Sequence, residues 1–241
     1  MFPRKESGRI ISIRPGTGAG LSSASNGYRK DCLNILIFEG TVNTSRHAIA
    51  IFDFDGTLTV KDSFLHFLVS VFGRWKVLLG LVFQSPILLG YQLRLLSNEY
   101  AKEKLFGYFF KGWSVSDFQK TADRYADWQL SDILRAEAME KLEWHKREGH
   151  RVVVVTASIE DWLRSWCLKT EADLIGTKTA SSEGRLTGQF STKNCYGPQK
   201  VLRLKEKIEL SAYKQIFVYG DSRGDRELLQ LATHAFYRKY N

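Results

Sequence analysis

Three short apolar runs constrain the architecture of this chain more than any other feature. Ala48–Phe52 (AIAIF), Arg151–Val155 (RVVVV) and Gln215–Tyr219 (QIFVY) are rich in β-branched side chains and show no helical spacing of polar positions. Such runs are strands buried on both faces, as in a parallel sheet covered by helices on each side. Each passes at once into Asp, Thr, Ser or Gly: Asp53-Phe54-Asp55-Gly56-Thr57, Thr156-Ala157-Ser158 and Gly220-Asp221-Ser222. Ligands of open parallel sheets bind beyond the carboxyl ends of the strands, so three such clusters can converge on one crevice. The expected fold is α/β, a Rossmann-like parallel sheet flanked by helices.

Between the first two runs lie roughly 95 residues of helical character, far more than a strand-to-strand crossover needs. They read as an inserted helical cap over residues 59–149, leaving 48–58 and 150–241 as the core. Ser114-Val115-Ser116-Asp117 forms a capping box ahead of an amphipathic run, and Ser131–Glu148 reads as one helix closed by Gly149. Ile159–Lys169, Gln199–Leu210 and Gly224–Ala232 read as further helices, with Glu183-Gly184 turning a small hairpin. Residues 1–47 are poor in acids and lack a sustained hydrophobic period before Ile35–Phe38, so they are expected to form a flexible extension outside the fold. Their GTGAG run, Gly16–Gly20, has neither the GxGxxG spacing nor a preceding strand, and no secretory h-region is present.

With 44% hydrophobic residues the chain can bury a substantial core, which excludes a disordered protein. Cys32, Cys167 and Cys195 are widely spaced and form no CxxC pair, which favours a reducing compartment and a cytoplasmic location. A net charge of +9 suits anionic partners: phosphorylated small molecules, anionic lipid head groups or nucleic acid. No nucleic-acid-binding motif accompanies the charge, so nucleic acid is not expected as a partner.

The chemistry concentrates at the strand ends. Asp53 and Asp55 stand two residues apart, and a period of two puts them on the same side. One carboxylate can attack phosphorus while the other handles the leaving-group proton, and both are hard oxygen donors suited to Mg2+. Gly56 removes a Cβ where backbone N–H groups approach a phosphate. A calcium loop would carry glycine sixth and glutamate twelfth; here Gly56 is fourth and Phe64 twelfth. A plain acidic surface turn is the bland alternative for DFDG. Thr156, Ala157 and the turn after them can donate to phosphate oxygens. Lys200, at the start of a helix, can neutralise a phosphoryl group, although most single lysines are simply solvated. Asp221 can reach a metal, and Asp225, a helical turn further on, can orient a metal-bound water or hold Lys200.

Taken together these residues resemble the haloacid dehalogenase superfamily, in its phosphoserine-phosphatase-like branch. The resemblance runs from Ala48 to Tyr240 and rests on four motifs in order: DFDGT, the threonine closing VVVVT, the helix lysine, and GDSxxD. It implies a Mg2+-dependent phosphohydrolase in which Asp53 is nucleophile and metal ligand. Asp55 is then the general acid and base, with its main-chain carbonyl on the metal, Asp221 the remaining protein ligand and Asp225 its support. Gly56, Thr156, Ala157 and Lys200 hold the phosphate. Dehalogenation is disfavoured because Asp55 is the acid/base that phosphatases need. A non-catalytic binding module with the same fold would be marked by a lost carboxylate, and none is missing.

Two features bear on substrate. Asp62 follows the nucleophile by nine residues, where phosphoserine phosphatases meet the substrate ammonium; it reads equally as a helix N-terminal acid. Val77–Leu93 is seventeen residues without a charge, interrupted by Gln84-Ser85-Pro86 and flanked by Arg74, Lys76 and Arg94. It is too short for a membrane span of about 20 residues. The expectation is a pair of internally packed cap helices over a small soluble, phosphoserine-like ester. The alternative is a cap in peripheral contact with membrane, serving a lipid phosphate such as phosphatidylglycerophosphate.

Overall fold

A computed structural model describes residues 48–240. The expectations for residues 1–47, Cys32 and the GTGAG run among them, lie outside the described residues. Five strands form one parallel sheet in the order β3 (Asp173–Thr177), β2 (Arg151–Ile159), β1 (Ala48–Phe52), β6 (Gln215–Gly220) and β7 (His234–Tyr237). Alternation along β1 explains why the strand is apolar throughout. Ala48, Ala50 and Phe52 join Val152, Val154 and Tyr219 in one core, while Ile49 and Ile51 join Val153, Val155 and Val218 in the other. The second core is closed by Leu204 of α8 (Pro198–Lys207) and Leu228 of α9 (Arg226–Leu229). At about 25 cal/mol per Å2 of apolar area, burial of both faces is what holds so short a strand in place.

After β1 the chain makes a wide turn, Phe54–Leu58, and enters α1 (Ser63–Phe72), α2 (Arg74–Phe83), α3 (Ser85–Gln92), α4 (Asn98–Phe110) and α5 (Val115–Trp128). Local chemistry sets these boundaries. Asp62 caps α1 by accepting from the Leu65 N–H at 2.9 Å, and Gly73 ends it with a left-handed φ of 77°. The interruption expected at Gln84-Ser85-Pro86 forms: α2 ends at Phe83, and Pro86 sits in the first turn of α3, where no intrahelical N–H is lost. Ser114 caps α5 by accepting from the Asp117 N–H at 3.2 Å, as the capping box predicts. Phe67, Phe106, Phe110 and Phe118 interlock as the aromatic centre of these helices.

Several boundaries differ from expectation. The single helix Ser131–Glu148 is divided into a 3-10 turn, Leu130–Ile133, and α6 (Ala136–Arg147). Leu134 between them is extended and bridges Thr59: Val60 N–H donates to Ile133 O and Arg135 N–H to Leu58 O, each at 2.8 Å. These paired segments are where the chain leaves and re-enters the sheet layer. β2 runs on through Ile159, so the helix expected from Ile159 is reduced to a 3-10 turn, Glu160–Trp162, and α7 (Arg164–Lys169). The helix expected over Gln199–Leu210 ends at Lys207, and that over Gly224–Ala232 is only α9, following a 3-10 turn at Arg223–Asp225. The hairpin forms as read, β4 (Thr179–Ser182) against β5 (Arg185–Phe190). Cys167 and Cys195 are buried free thiols.

Candidate active site

β1 lies between β2 and β6, so the chain departs in opposite directions on its two sides and a crevice opens at its carboxyl end. Into it project the residues that follow β1 and β6, those in the last part of β2 (Thr156–Ser158) and the first turn of α8. The Asp53 N–H donates to Tyr219 O at 2.9 Å, extending the ladder by one residue and fixing the acid at the crevice floor.

Lys200 is the hub on one side. Its ammonium donates to Asp53 Oδ1 at 2.5 Å and Asp225 Oδ1 at 2.6 Å, with all three residues buried. Burial opposes its charge, but Asp53 and Asp225 outweigh that and hold the lysine above its ordinary range. The second oxygen of Asp225 accepts from Ser222 Oγ at 2.7 Å, Ser222 N at 2.9 Å and Asp221 N at 3.2 Å. That carboxylate is therefore fully engaged, and Lys200 and Ser222 hold it below the usual range despite burial. Asp53 differs: burial pushes it up to about 7, with Lys200 offsetting only part. Asp221 is also raised, by burial and by Asp225; its Oδ1 accepts from Thr57 Oγ1 at 3.2 Å.

Asp53 and Asp55 do not share surroundings. The chain bends between them, and Asp55 turns toward the helices above the sheet. There Ser158 Oγ and the Ser63 N–H, the latter at 2.7 Å, donate to its two oxygens. Burial comes first and the nearby charge of Asp62 second in raising the Asp55 carboxyl, against these hydrogen bonds and the attraction of Lys102. Lys102, from α4, donates to Ala157 O at 2.9 Å, and burial holds its ammonium below its usual range. Thr156 is buried, and its Oγ1 accepts from Ser158 N at 3.0 Å.

The donor set suits a hard divalent cation. Oxygens of Asp53, Asp221 and Asp225 come within 4.8 Å of one another. Those of Asp225 are already committed, so Asp53 and Asp221 are the available ligands, and both are held high by burial and by a neighbouring acid. A cation between them would relieve that excess of negative charge. Gly56 belongs to the same cradle: at φ 84°, a Cβ there would lie 2.4 Å from Asp221 Oδ2. A cleft of about 780 Å3 opens beside Gly56 and Asp221, with Arg135, Arg238 and Lys239 on its wall.

The structure thus brings Asp53, Asp55, Gly56, Thr156, Ala157, Lys200, Asp221 and Asp225 to one crevice. Asp62 lies at its edge, engaged in capping α1 yet near enough to act on the Asp55 carboxyl. Ser63, Ser158 and Lys102 complete the surroundings of Asp55. Of these only Ser158 had a sequence signal, its place in the Thr156-Ala157-Ser158 turn; Ser63 and Lys102 arrive through tertiary packing.

Comparison with known proteins agrees with this geometry. The sequence model for haloacid dehalogenase-like hydrolases matches residues 50–230. Protein CicA of Caulobacter vibrioides is 34% identical over 194 residues, covering 78% of this chain and 84% of that one. A Mycobacterium tuberculosis protein named "Probable phosphatase" is 25% identical over 202 residues, covering 81% and 70%. Among solved structures, a protein of unknown function from Bordetella pertussis Tohama I superposes with a TM-score of 0.69 at 20% identity, covering 79% and 89%. A phosphoserine phosphohydrolase-like protein from Francisella tularensis superposes with a TM-score of 0.54 at 17% identity, covering 76% and 82%.

Proposed function

This chain belongs to the haloacid dehalogenase-like hydrolases, and from that premise we propose that it is a magnesium-dependent phosphatase working through an aspartyl phosphate. The observation that carries the reading is the division of labour between two carboxylates at the end of one strand. Asp53 is clamped by Lys200 beside Asp221, while Asp55 is held apart by Ser158 and Ser63.

In the first step Asp53 attacks phosphorus, a bond from its carboxylate oxygen to phosphorus forms and the ester P–O bond breaks. The raised Asp55 carboxyl gives its proton to the departing alkoxide. In the second step ionised Asp55 takes a proton from water as that water attacks phosphorus, which frees Asp53 and releases inorganic phosphate. Lys200 and the Thr156 hydroxyl neutralise and orient the phosphoryl oxygens, and Asp225 keeps Lys200 in place. Mg2+ bound by Asp53, Asp221 and the Asp55 main-chain carbonyl would supply charge neutralisation to the transferring group.

The test is Asp53→Asn. It should abolish magnesium-dependent hydrolysis of an aryl phosphate with an unchanged circular dichroism spectrum. Acid-quenched wild type should carry one phosphoryl group on Asp53 by peptide mass, and turnover by the variant near the wild-type rate would sink the mechanism. As to substrate, a small soluble, phosphoserine-like ester would suit a cap segment packed on itself. The second reading, a lipid phosphate, is favoured by the exposure of that segment: Leu79 is 58% exposed and Leu89 59%.

A further inference from the structure

The outer face of the α2–α3 pair takes no part in the chemistry above and carries a marked concentration of uncovered apolar surface. Trp75, Leu79, Val82, Phe83, Leu89 and Leu93 are between 58% and 74% exposed. α2 buries only Val77 and Gly80, and α3 buries no side chain at all. Scattered exposed leucines are ordinary, but a continuous apolar face on two successive helices marks an interaction surface.

Charge identifies the partner. From Ser63 to Asn98 the chain has no acidic residue, while Arg74, Lys76 and Arg94 are all exposed. A second copy docked on the same face would bring these cations together in like pairs across a two-fold axis. A bilayer containing anionic lipids complements both the apolar side chains and the basic flank, and Trp75 and Tyr91 suit the head-group boundary. Helix length excludes crossing: ten and eight residues reach about 15 and 12 Å, against a hydrocarbon core of about 30 Å. No single helix among the described residues is long and apolar enough to span, and α1 and α2 meet at 117°.

The face is wired to the crevice. α1 begins at Ser63, whose N–H holds Asp55. Asn98, at the start of α4, donates to Tyr91 Oη at 3.1 Å and accepts from Asn194 at 2.9 Å, and one turn further on Lys102 reaches Ala157.

We propose that the α2–α3 face lies in the surface of an anionic bilayer, and that the enzyme takes its phosphate monoester from a lipid head group at that surface. The second half of this statement rests on the phosphatase reading. The full chain should co-sediment at low salt with phosphatidylcholine vesicles containing phosphatidylglycerol, and less with phosphatidylcholine alone. Trp75→Ser combined with Phe83→Ser, and separately Arg74→Glu combined with Lys76→Glu, should each weaken binding about tenfold or more. Melting temperature and turnover of a soluble aryl phosphate should stay unchanged, since these side chains are exposed. Phosphatidic acid in the same vesicles should be hydrolysed faster than soluble glycerol phosphate, and the Trp75/Phe83 variant should lose that preference. Wild type left in the supernatant, or binding untouched by both variants, would overturn the docking. So would a concentration-dependent dimer that the variants dissociate while vesicle binding persists. Vesicle binding without aryl phosphate turnover would instead overturn the catalytic reading and leave the docking in place.

Discussion

At the scale of single residues, the site separates two carboxylates that the sequence places only two positions apart. Asp53 faces Lys200 and Asp221; Asp55 faces the Ser158 hydroxyl, the Ser63 N–H and Lys102. The separation gives a distinct expectation for Asp55→Asn, which keeps the shape but cannot hold or deliver the proton. Turnover should fall by about 10²–10⁴ for alkyl phosphates and by much less for an aryl phosphate whose phenolate leaves unprotonated. Steady-state kinetics across a series of leaving groups would measure this, and equal losses across the series would remove Asp55 from the acid role. The four motif acids and Lys200 were legible because each follows directly from a strand or opens a helix, where a short pattern fixes position. Ser63 and Lys102 were not, because only the packing of α1 and α4 over the sheet brings them to Asp55.

At the scale of elements, the strands with the strongest pattern were the ones read correctly. β1 and the first part of β2 are buried on both faces, and that burial is what makes a sequence continuously apolar. β3 and β7 escape the pattern because they are the edges of the sheet: β3 opens on exposed Asp173 and buries only Ile175-Gly176-Thr177, too short and too polar to stand out, and His234, Ala235 and Tyr237 of β7 are exposed. The divided helix at Leu134 was hidden for a related reason, since the extended pairing with Thr59 depends on a residue 75 positions earlier. The Phe54–Leu58 turn is the element most exposed to a single substitution. In Gly56→Ala the new Cβ would meet Asp221 Oδ2 at 2.4 Å on a backbone with φ 84°, a conformation that disfavours any side chain. The expected result is a stability loss of about 1–2 kcal/mol and a rise of at least about tenfold in the magnesium concentration for half-maximal activity. Calorimetry and a magnesium titration would check both, and normal metal activation would mean that Gly56 does not shape the cradle.

At the scale of the whole molecule, the core that holds the aromatic cluster runs along one face of the sheet to a buried histidine packed on Phe52 and Phe217, and this histidine makes stability depend on pH. His145 of α6 is fully buried, with its Nε2 2.9 Å from Tyr219 Oη and its Nδ1 2.8 Å from His150 Nδ1. Burial, then the charges of His150 and Lys141, lowers its pKa from 6.5 to about 3. The folded protein therefore keeps this imidazole neutral while the unfolded chain takes up a proton as pH falls through 6.5. Stability from this residue is complete above the unfolded value and is lost progressively as pH drops from about 6.5 toward 3, by at most about 1.4 kcal/mol per unit. In a buffer of constant ionic strength, the melting temperature of wild type should decline measurably between pH 7 and 5. His145→Gln retains a partner for Tyr219 Oη but takes up no proton. It should be less stable than wild type at pH 7, through poorer packing against Phe52 and Phe217, with a shallower decline on acidification. Parallel declines for the two proteins over that window would show that another group sets the acid sensitivity of the fold.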